Sequence, residues 1–187
     1  MVSDLEARVD RLESLEAIRN IVARYPLYLD ARDIDGVVGL FVEDVRAYPG
    51  APRGRGPLHE HYTNLCKQWG VTCHVNSANA VFEFVDDDRA EGHIYCRAEH
   101  EIGDQWVVAM LRYHDRYERR DDAKWYFRWR RVHLFYVTDL LDRPVGPKRV
   151  RWPGQDPSPA DVPFMDETWQ RYYGADGPGG SRGPYAP

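Results

Sequence analysis

Along the first part of the chain apolar residues recur at steps of three and four, at Leu5, Val9, Leu12, Leu15, Ile18 and Val22. That spacing marks one face of an α-helix. Ser3 followed by Glu6 has the spacing of a capping box, so a long amphipathic helix is expected near the start of the chain. Pro26 falls inside the pattern and removes one helical hydrogen bond, which predicts a bend or an end near Tyr25. A short second helix is expected from Asp33, as its cap, to Phe41, then a short strand over Asp44 to Tyr48 and a third helix from about Leu58 to Trp69. Beyond Gly70 the period becomes two. Four strands are predicted, at about Thr72 to Val85, Ala90 to Ile102, Gln105 to Arg119 and Lys124 to Val137. Their separators, Asp86-Asp87-Asp88, Gly103-Asp104 and Asp121-Asp122, are short turn signals, so an antiparallel meander is the economical pairing. Helices followed by strands imply an α+β fold rather than alternating βαβ units. Strands of this length bend, and a curved sheet wrapped around the helices predicts a cone-shaped α+β barrel whose interior can hold a ligand.

Composition changes this picture at the C-terminal end. Residues 144–187 hold nine of the 13 prolines and seven of the 15 glycines, a density that forbids long helices and interior strands. The expected organisation is therefore a domain over residues 1–143 and a Pro/Gly-rich tail over 144–187. Trp152, Phe164, Trp169, Tyr172 and Tyr173 should pack part of that tail, and its end after Tyr173 is expected to be mobile. Cys66, Cys73 and Cys96 are an odd number without zinc-type spacing, which fits a reducing compartment better than a disulfide framework. The longest apolar run, Trp106 to Leu111, is far shorter than the roughly 20 residues of a membrane-crossing helix. The first residues lack a secretory leader, so the expected location is cytoplasmic. A formal charge of −5 gives no electrostatic reason to expect nucleic acid or an anionic membrane as partner.

Candidate chemistry is confined to a few positions. On the first long strand His74 shares a face with Asn76, Ala78, Ala80, Phe82 and Phe84, because alternate residues point the same way. If that face lines the interior, His74 is a base in a mostly apolar pocket; the alternative is a buried histidine satisfied by backbone carbonyls. Asp30 ends the apolar YPLYLD segment, where it serves either as a turn residue or as a carboxylate that orients a histidine. Tyr25, five residues earlier, lies about 140° away on an ideal helix. The strand from Trp125 to His133 interleaves aromatics with arginines, and Asp115, Glu118, Asp121 and Asp122 on the same hairpin offer cross-strand partners. One arginine turned inward would be a buried cation able to hold an anion or leaving group. His59-Glu60-His61 lacks the side-chain geometry and third ligand of a zinc site, so no metal is expected. Neither a phosphate-binding glycine loop nor a GxSxG nucleophile elbow is present. What remains is proton transfer by side chains without a cofactor.

The segments LEARVDRLESLEAIRNIVARYPLYLDARDIDG, CHVNSANAVFEF and YHDRYERRDDAKWYFRWRR together resemble the SnoaL-like branch of the nuclear transport factor 2-like superfamily, over about residues 4–138. Within it the chain is most similar to the cofactor-free lyases: scytalone dehydratase, bile-acid 7α-dehydratase and hexachlorocyclohexane dehydrochlorinase. The resemblance implies a homotrimer, with the sheet's outer face and part of the tail between subunits. It also implies a His-Asp pair that removes a proton beside a leaving group, here His74 and Asp30. Tyr25 matches a tyrosine of the bile-acid enzyme, and Arg130 matches an arginine of the dehydrochlorinase. Tyr48 is the counterpart of a pocket tyrosine. With Asn76, Cys96, Ala109 and Tyr113 it forms the expected substrate-binding set. The implied activity is a cofactor-independent dehydratase acting on a hydrophobic alicyclic or steroid-like hydroxy-carbonyl compound. A ketosteroid-type isomerase or polyketide cyclase, or a non-catalytic module binding a small molecule or a protein, remain the alternatives, since the fold alone does not give the reaction.

Overall fold

The computed structural model describes residues 4–173. The Ser3 cap and the segment after Tyr173 lie outside the described residues. Three helices come first: α1 (Asp4–Asp30), α2 (Ile34–Gly39) and α3 (Arg55–Cys66). Strands β1 (Thr72–Phe84), β2 (Arg89–Ile102), β3 (Gln105–Arg119) and β4 (Trp125–Asp139) follow, and the short α4 (Glu167–Tyr173) ends the described chain. The strands form one sheet in the order β1-β2-β3-β4, the antiparallel meander that the acidic turns predict. The fold class is α+β.

The helical part departs from expectation in its bounds. Of the bend or end expected near Tyr25, the end does not occur, since α1 runs through Pro26 to Asp30. An interior proline costs about 3 kcal/mol. Against that, Ile18, Val22, Tyr25, Pro26 and Leu29 are all buried on one face, and full burial of each large apolar side chain is worth about 1.5–3 kcal/mol. The combined burial outweighs the lost hydrogen bond. Asp44 to Tyr48 is not a strand either. Only one isolated bridge forms there, Arg46 with Arg53. The Arg46–Arg53 bridge closes the intervening loop on itself instead of extending it along a sheet. α3 also starts at Arg55 and stops at Cys66, rather than running from Leu58 to Trp69. Elsewhere the local signals hold. Asp33 caps α2 by accepting a bond from the Gly36 N–H at 2.8 Å, and Gly103 takes a positive φ of 64° in the β2–β3 turn.

The described residues divide into two compact units, each built from segments of all four strands. The first holds residues up to Gln68 with Ala78–Ile94 and His114–Arg131. Its core is the buried face of α1, Val37 and Val38 of α2, Leu58 and Tyr62 of α3, and Tyr117, Trp125 and Phe127 of the strands. Leu5, Val9 and Leu12 keep the helical period yet are exposed. Periodicity therefore marks the helix from its start, whereas burial begins only at Ser14.

The second unit holds Trp69–Ser77, Tyr95–Tyr113 and the residues from Val132 onward. Here the proline-rich segment is pinned rather than loose. Val150 bridges both Val137 and Ser158, Asp161 accepts the Leu134 N–H at 2.9 Å, and Arg112 binds Asp166 through two bonds of 3.0 and 2.6 Å. Val150, Ala160 and Val162 are buried.

Gly92 on β2 tests the packing of the first unit. A Cβ at this position would lie 2.8 Å from Cδ1 of Phe82 and 3.1 Å from Cε2 of Tyr117. Gly92→Ala is expected to lower stability by about 1–3 kcal/mol through overpacking, measured as a shift in the urea midpoint with unchanged slope.

Candidate functional site

The first unit buries a charged pair. Asp115 on β3 accepts from Nε and Nη2 of Arg130 on β4 at 2.9 and 2.7 Å, and their side chains are 0% and 3% exposed. The Tyr117 hydroxyl donates to the same carboxylate at 2.8 Å. The guanidinium carbon lies 4.2 Å from the ring centre of Tyr25 and 4.4 Å from that of Phe127, so aromatic faces complete the cation's surroundings. Tyr25 in turn shares a 3.1 Å hydroxyl–hydroxyl hydrogen bond with Tyr62 of α3. Its ring also meets Phe41 and Phe127 edge-on.

Strand alternation sends residues 127 and 130 to opposite faces, yet Arg130 lies against Phe127, while Trp129 meets His114 at 5.0 Å. The alternation of β4 therefore slips by one residue between Phe127 and Arg130, as at a β-bulge, a feature that often re-aims a side chain beside an active site. This slip turns one of the three arginines between Arg128 and Arg131 inward.

Burial sets the protonation of the phenols. It pushes the Tyr62 hydroxyl well above the ordinary tyrosine range, and neighbouring Tyr25 adds to the effect. It does the same for Tyr117, where the Asp115 charge adds to it. Both stay protonated donors throughout the physiological range. A buried ion pair is weak evidence of stabilisation, because desolvation offsets the attraction. The cluster does, however, present a fixed cation and neutral phenols of the kind that stabilise charge developing on an oxygen.

Of the expected catalytic residues, Tyr25 and Arg130 meet in this cluster. Asp30 is the half-buried last residue of α1, and its charge is felt at the Cys66 thiol, which burial raises above the usual range. Because α1 continues through Pro26, Tyr25 and Asp30 both sit on helical backbone. Tyr48 is exposed at the wall of a separate pocket in the same unit. In the second unit His74 and Asn76 are half-buried on one face of β1, and Cys96, Ala109 and Tyr113 are buried. His74 lies edge-on to His100, with ring centres 5.2 Å apart, and Trp69 packs against both rings at 6.4 and 4.4 Å. Trp152 from the proline-rich segment meets His100 at 5.5 Å. Among the described residues, no group of three or more His, Cys, Asp or Glu side chains is placed to hold a metal ion, and no helix is long and apolar enough to cross a membrane.

Sequence reasoning did not select Tyr62, Tyr117 or His100, and treated Asp115 only as a cross-strand partner. Signals existed. Tyr62 falls at helical spacing between Leu58 and Cys66, and His100 alternates in step with buried Cys96 and Ala98.

A family model of the SnoaL-like domain matches residues 10–131. Among solved structures, a Novosphingobium aromaticivorans protein assigned as a scytalone dehydratase is 23% identical with a TM-score of 0.62, over 80% of this chain and 99% of its own. A type 2 hexachlorocyclohexane dehydrochlorinase gives 23% and 0.65 over 79% and 99%. The LinA-type3 enzyme of Novosphingobium barchaimii gives 23% and 0.66 over 75% and 99%. At these identities the likeness shows a shared fold. No curated protein matches the sequence.

Two outcomes follow from the buried cluster. Asp115→Ala leaves Arg130 buried without its carboxylate and should cost about 3–5 kcal/mol, whereas Asp115→Leu combined with Arg130→Met should recover most of that loss in denaturant melts. The alkaline limb should respond to Tyr62. Its folded pKa is raised, so its contribution is fully present below the unfolded value of about 10 and is lost as pH rises through that value toward the folded one. Tyr62→Phe should flatten the decline in thermal midpoint above about pH 10.

Proposed function

The chain belongs to the SnoaL-like domain family, and from that premise we propose that it is a cofactor-independent lyase, a dehydratase of a hydrophobic alicyclic or steroid-like hydroxy-carbonyl compound. The observation that carries the reading is the buried cluster of Tyr25, Tyr62 and the Asp115-paired Arg130. Retaining a fully desolvated guanidinium between aromatic rings is costly, and its chemistry suits a reaction that develops negative charge on oxygen. Loss of hydroxide beside a carbonyl is such a reaction. The dehydratase and dehydrochlorinase among the fold's relatives support the same class.

In this mechanism His74 takes the proton from carbon α to the carbonyl. The C–H electron pair becomes the new C=C bond, the C–O bond at the adjacent carbon breaks with its pair leaving on oxygen, and the departing hydroxide takes a proton from Tyr25 to become water, the proton that His74 acquired being returned to restore Tyr25. Asp30 is the proposed carboxylate partner that orients His74, a role that the family resemblance implies. Tyr25 donates to the leaving oxygen, and Tyr62 holds the Tyr25 hydroxyl in place through their shared hydrogen bond. Arg130 contributes a fixed positive charge whose orientation is set by Asp115. His100, beside His74, limits the orientations available to its ring. Tyr48, Asn76, Cys96, Ala109 and Tyr113 are the proposed substrate contacts, and a homotrimer is the proposed assembly. An isomerase would use the same base but return the proton to another carbon.

Product mass separates the two: elimination loses one water, and isomerisation conserves mass. Screening hydroxy-ketones and hydroxy-acyl steroids by mass spectrometry should identify a substrate that loses water. On it, His74→Ala should lower kcat by roughly 10²–10⁴-fold with the fold intact by circular dichroism. Full turnover in that variant would end the assignment.

A further inference from the structure

The first unit carries a second concavity, a pocket of about 230 Å³ walled by the loop after α2 and by residues 128–131 of β4. On a chain of net charge −5, five arginines line it against a single carboxylate, Asp44. That carboxylate is already shared. Arg128 binds it at 2.5 Å, Arg120 at 3.0 Å and Arg53 at 3.9 Å, and Arg128, helped by Arg120, holds its carboxyl below the usual range. Arg130 contributes to the wall, but its Nε and Nη2 are engaged by Asp115.

Two guanidinium groups are left without a carboxylate. Arg46 is anchored by one donation, from Nη1 to the Ala51 carbonyl, and it forms no ion pair among the described residues. Arg131 lies 4.8 Å from the Trp129 ring centre. It forms no hydrogen bond or ion pair among the described residues, so stacking positions the cation while leaving its N–H edges unused. Both heads are exposed, and Tyr48 adds an exposed ring at the same wall.

We propose that this pocket is an anion-binding site for a carboxylate or phosphate group attached to a flat ring, with Arg46 and Arg131 as its principal donors, Arg53 as a supporting cation and Tyr48 as the ring contact. The chemistry is that of charge-assisted hydrogen bonds from forked donors to a planar or tetrahedral oxyanion. Like charges brought together without carboxylates repel one another, and an anion relieves the repulsion. The pocket shares Tyr48 and Arg130 with the residues proposed for the lyase, but its principal donors, Arg46 and Arg131, have no part in that reaction, and its test reads binding rather than turnover. Stacked aromatics beside arginines can also bind single-stranded nucleic acid, but a pocket of this volume on an acidic chain fits a small anion better than a polymer.

Titration calorimetry of the full chain at low salt with phenyl phosphate and with benzoate tests the site and separates phosphate from carboxylate. Saturable binding of either probe that weakens as ionic strength rises is expected. Arg46→Gln together with Arg131→Gln should weaken it by about tenfold or more, and Arg131→Gln alone should weaken it measurably. Unaltered circular dichroism establishes that the variants fold. No saturable binding of either probe, or unchanged affinity in the folded variants, would overturn the assignment, as would an oligothymidylate that binds where phenyl phosphate does not.

Discussion

The constraint on which the first unit depends is the burial of Arg130. A guanidinium with almost no exposure must find acceptors and polarisable neighbours inside the protein, and here each comes from a different element. Asp115 of β3 supplies two acceptor oxygens, and Tyr25 of α1 and Phe127 of β4 supply ring faces. These demands fix the β3–β4 register, because Asp115 and Arg130 must lie opposite each other. They also fix the rotation of α1, because Tyr25 must present its ring. The slip in β4 is the backbone's part of the solution. Without it Arg130 would point away from Phe127, and the buried carboxylate of Asp115 would keep the Tyr117 hydroxyl but lose its cation.

The same constraint settles the chemistry of the tyrosines. Tyr62 is tied to Tyr25, and Tyr25 is held against the cation, so two phenols sit at one end of a chain whose other end is Asp115 and Tyr117. In water such groups would exchange partners freely. In a desolvated site their orientation is set by packing, and burial keeps Tyr62 and Tyr117 protonated. Replacement by well-packed apolar residues would often be neutral or stabilising for a pair of this kind. What such a pair fixes is the register and the orientation of its neighbours rather than a large net stability.

How far the sequence reveals this differs by length scale. The four strands were readable within a few residues because alternation and acidic turns are local signals, as was the Asp33 cap. Local chemistry allows either a bend or an end at Pro26, and it cannot choose between them, because the burial of Tyr25, Pro26 and Leu29 that carries α1 on to Asp30 depends on residues distant in sequence. The segment Asp44 to Tyr48 looked like a strand from its composition, but a strand needs a partner, and Arg46 finds Arg53 within its own loop. Tyr62 adjoins the pair His59 and His61, whose metal-like spacing is the stronger local signal. Arg130 was reached through family likeness, because plain alternation would group it with Arg128 rather than with Phe127.

That last point bears on the whole Arg-aromatic strand. Arg128 to Arg131 are nearly uniform in sequence, yet three environments divide them: Arg128 pairs with Asp44, Arg130 with buried Asp115, and Arg131 stacks on Trp129 without a carboxylate. Composition alone would score them as one basic patch. The one-residue slip separates a desolvated cation suited to reaction chemistry from an exposed one suited to binding an anion. Charge is conserved along the strand, but dielectric surroundings are not, and an ion's contribution depends on those surroundings far more than on its identity. The division of these arginines thus lies in the strand's departure from regular pleating, since a regular strand would have aimed Arg130 to the same face as Arg128.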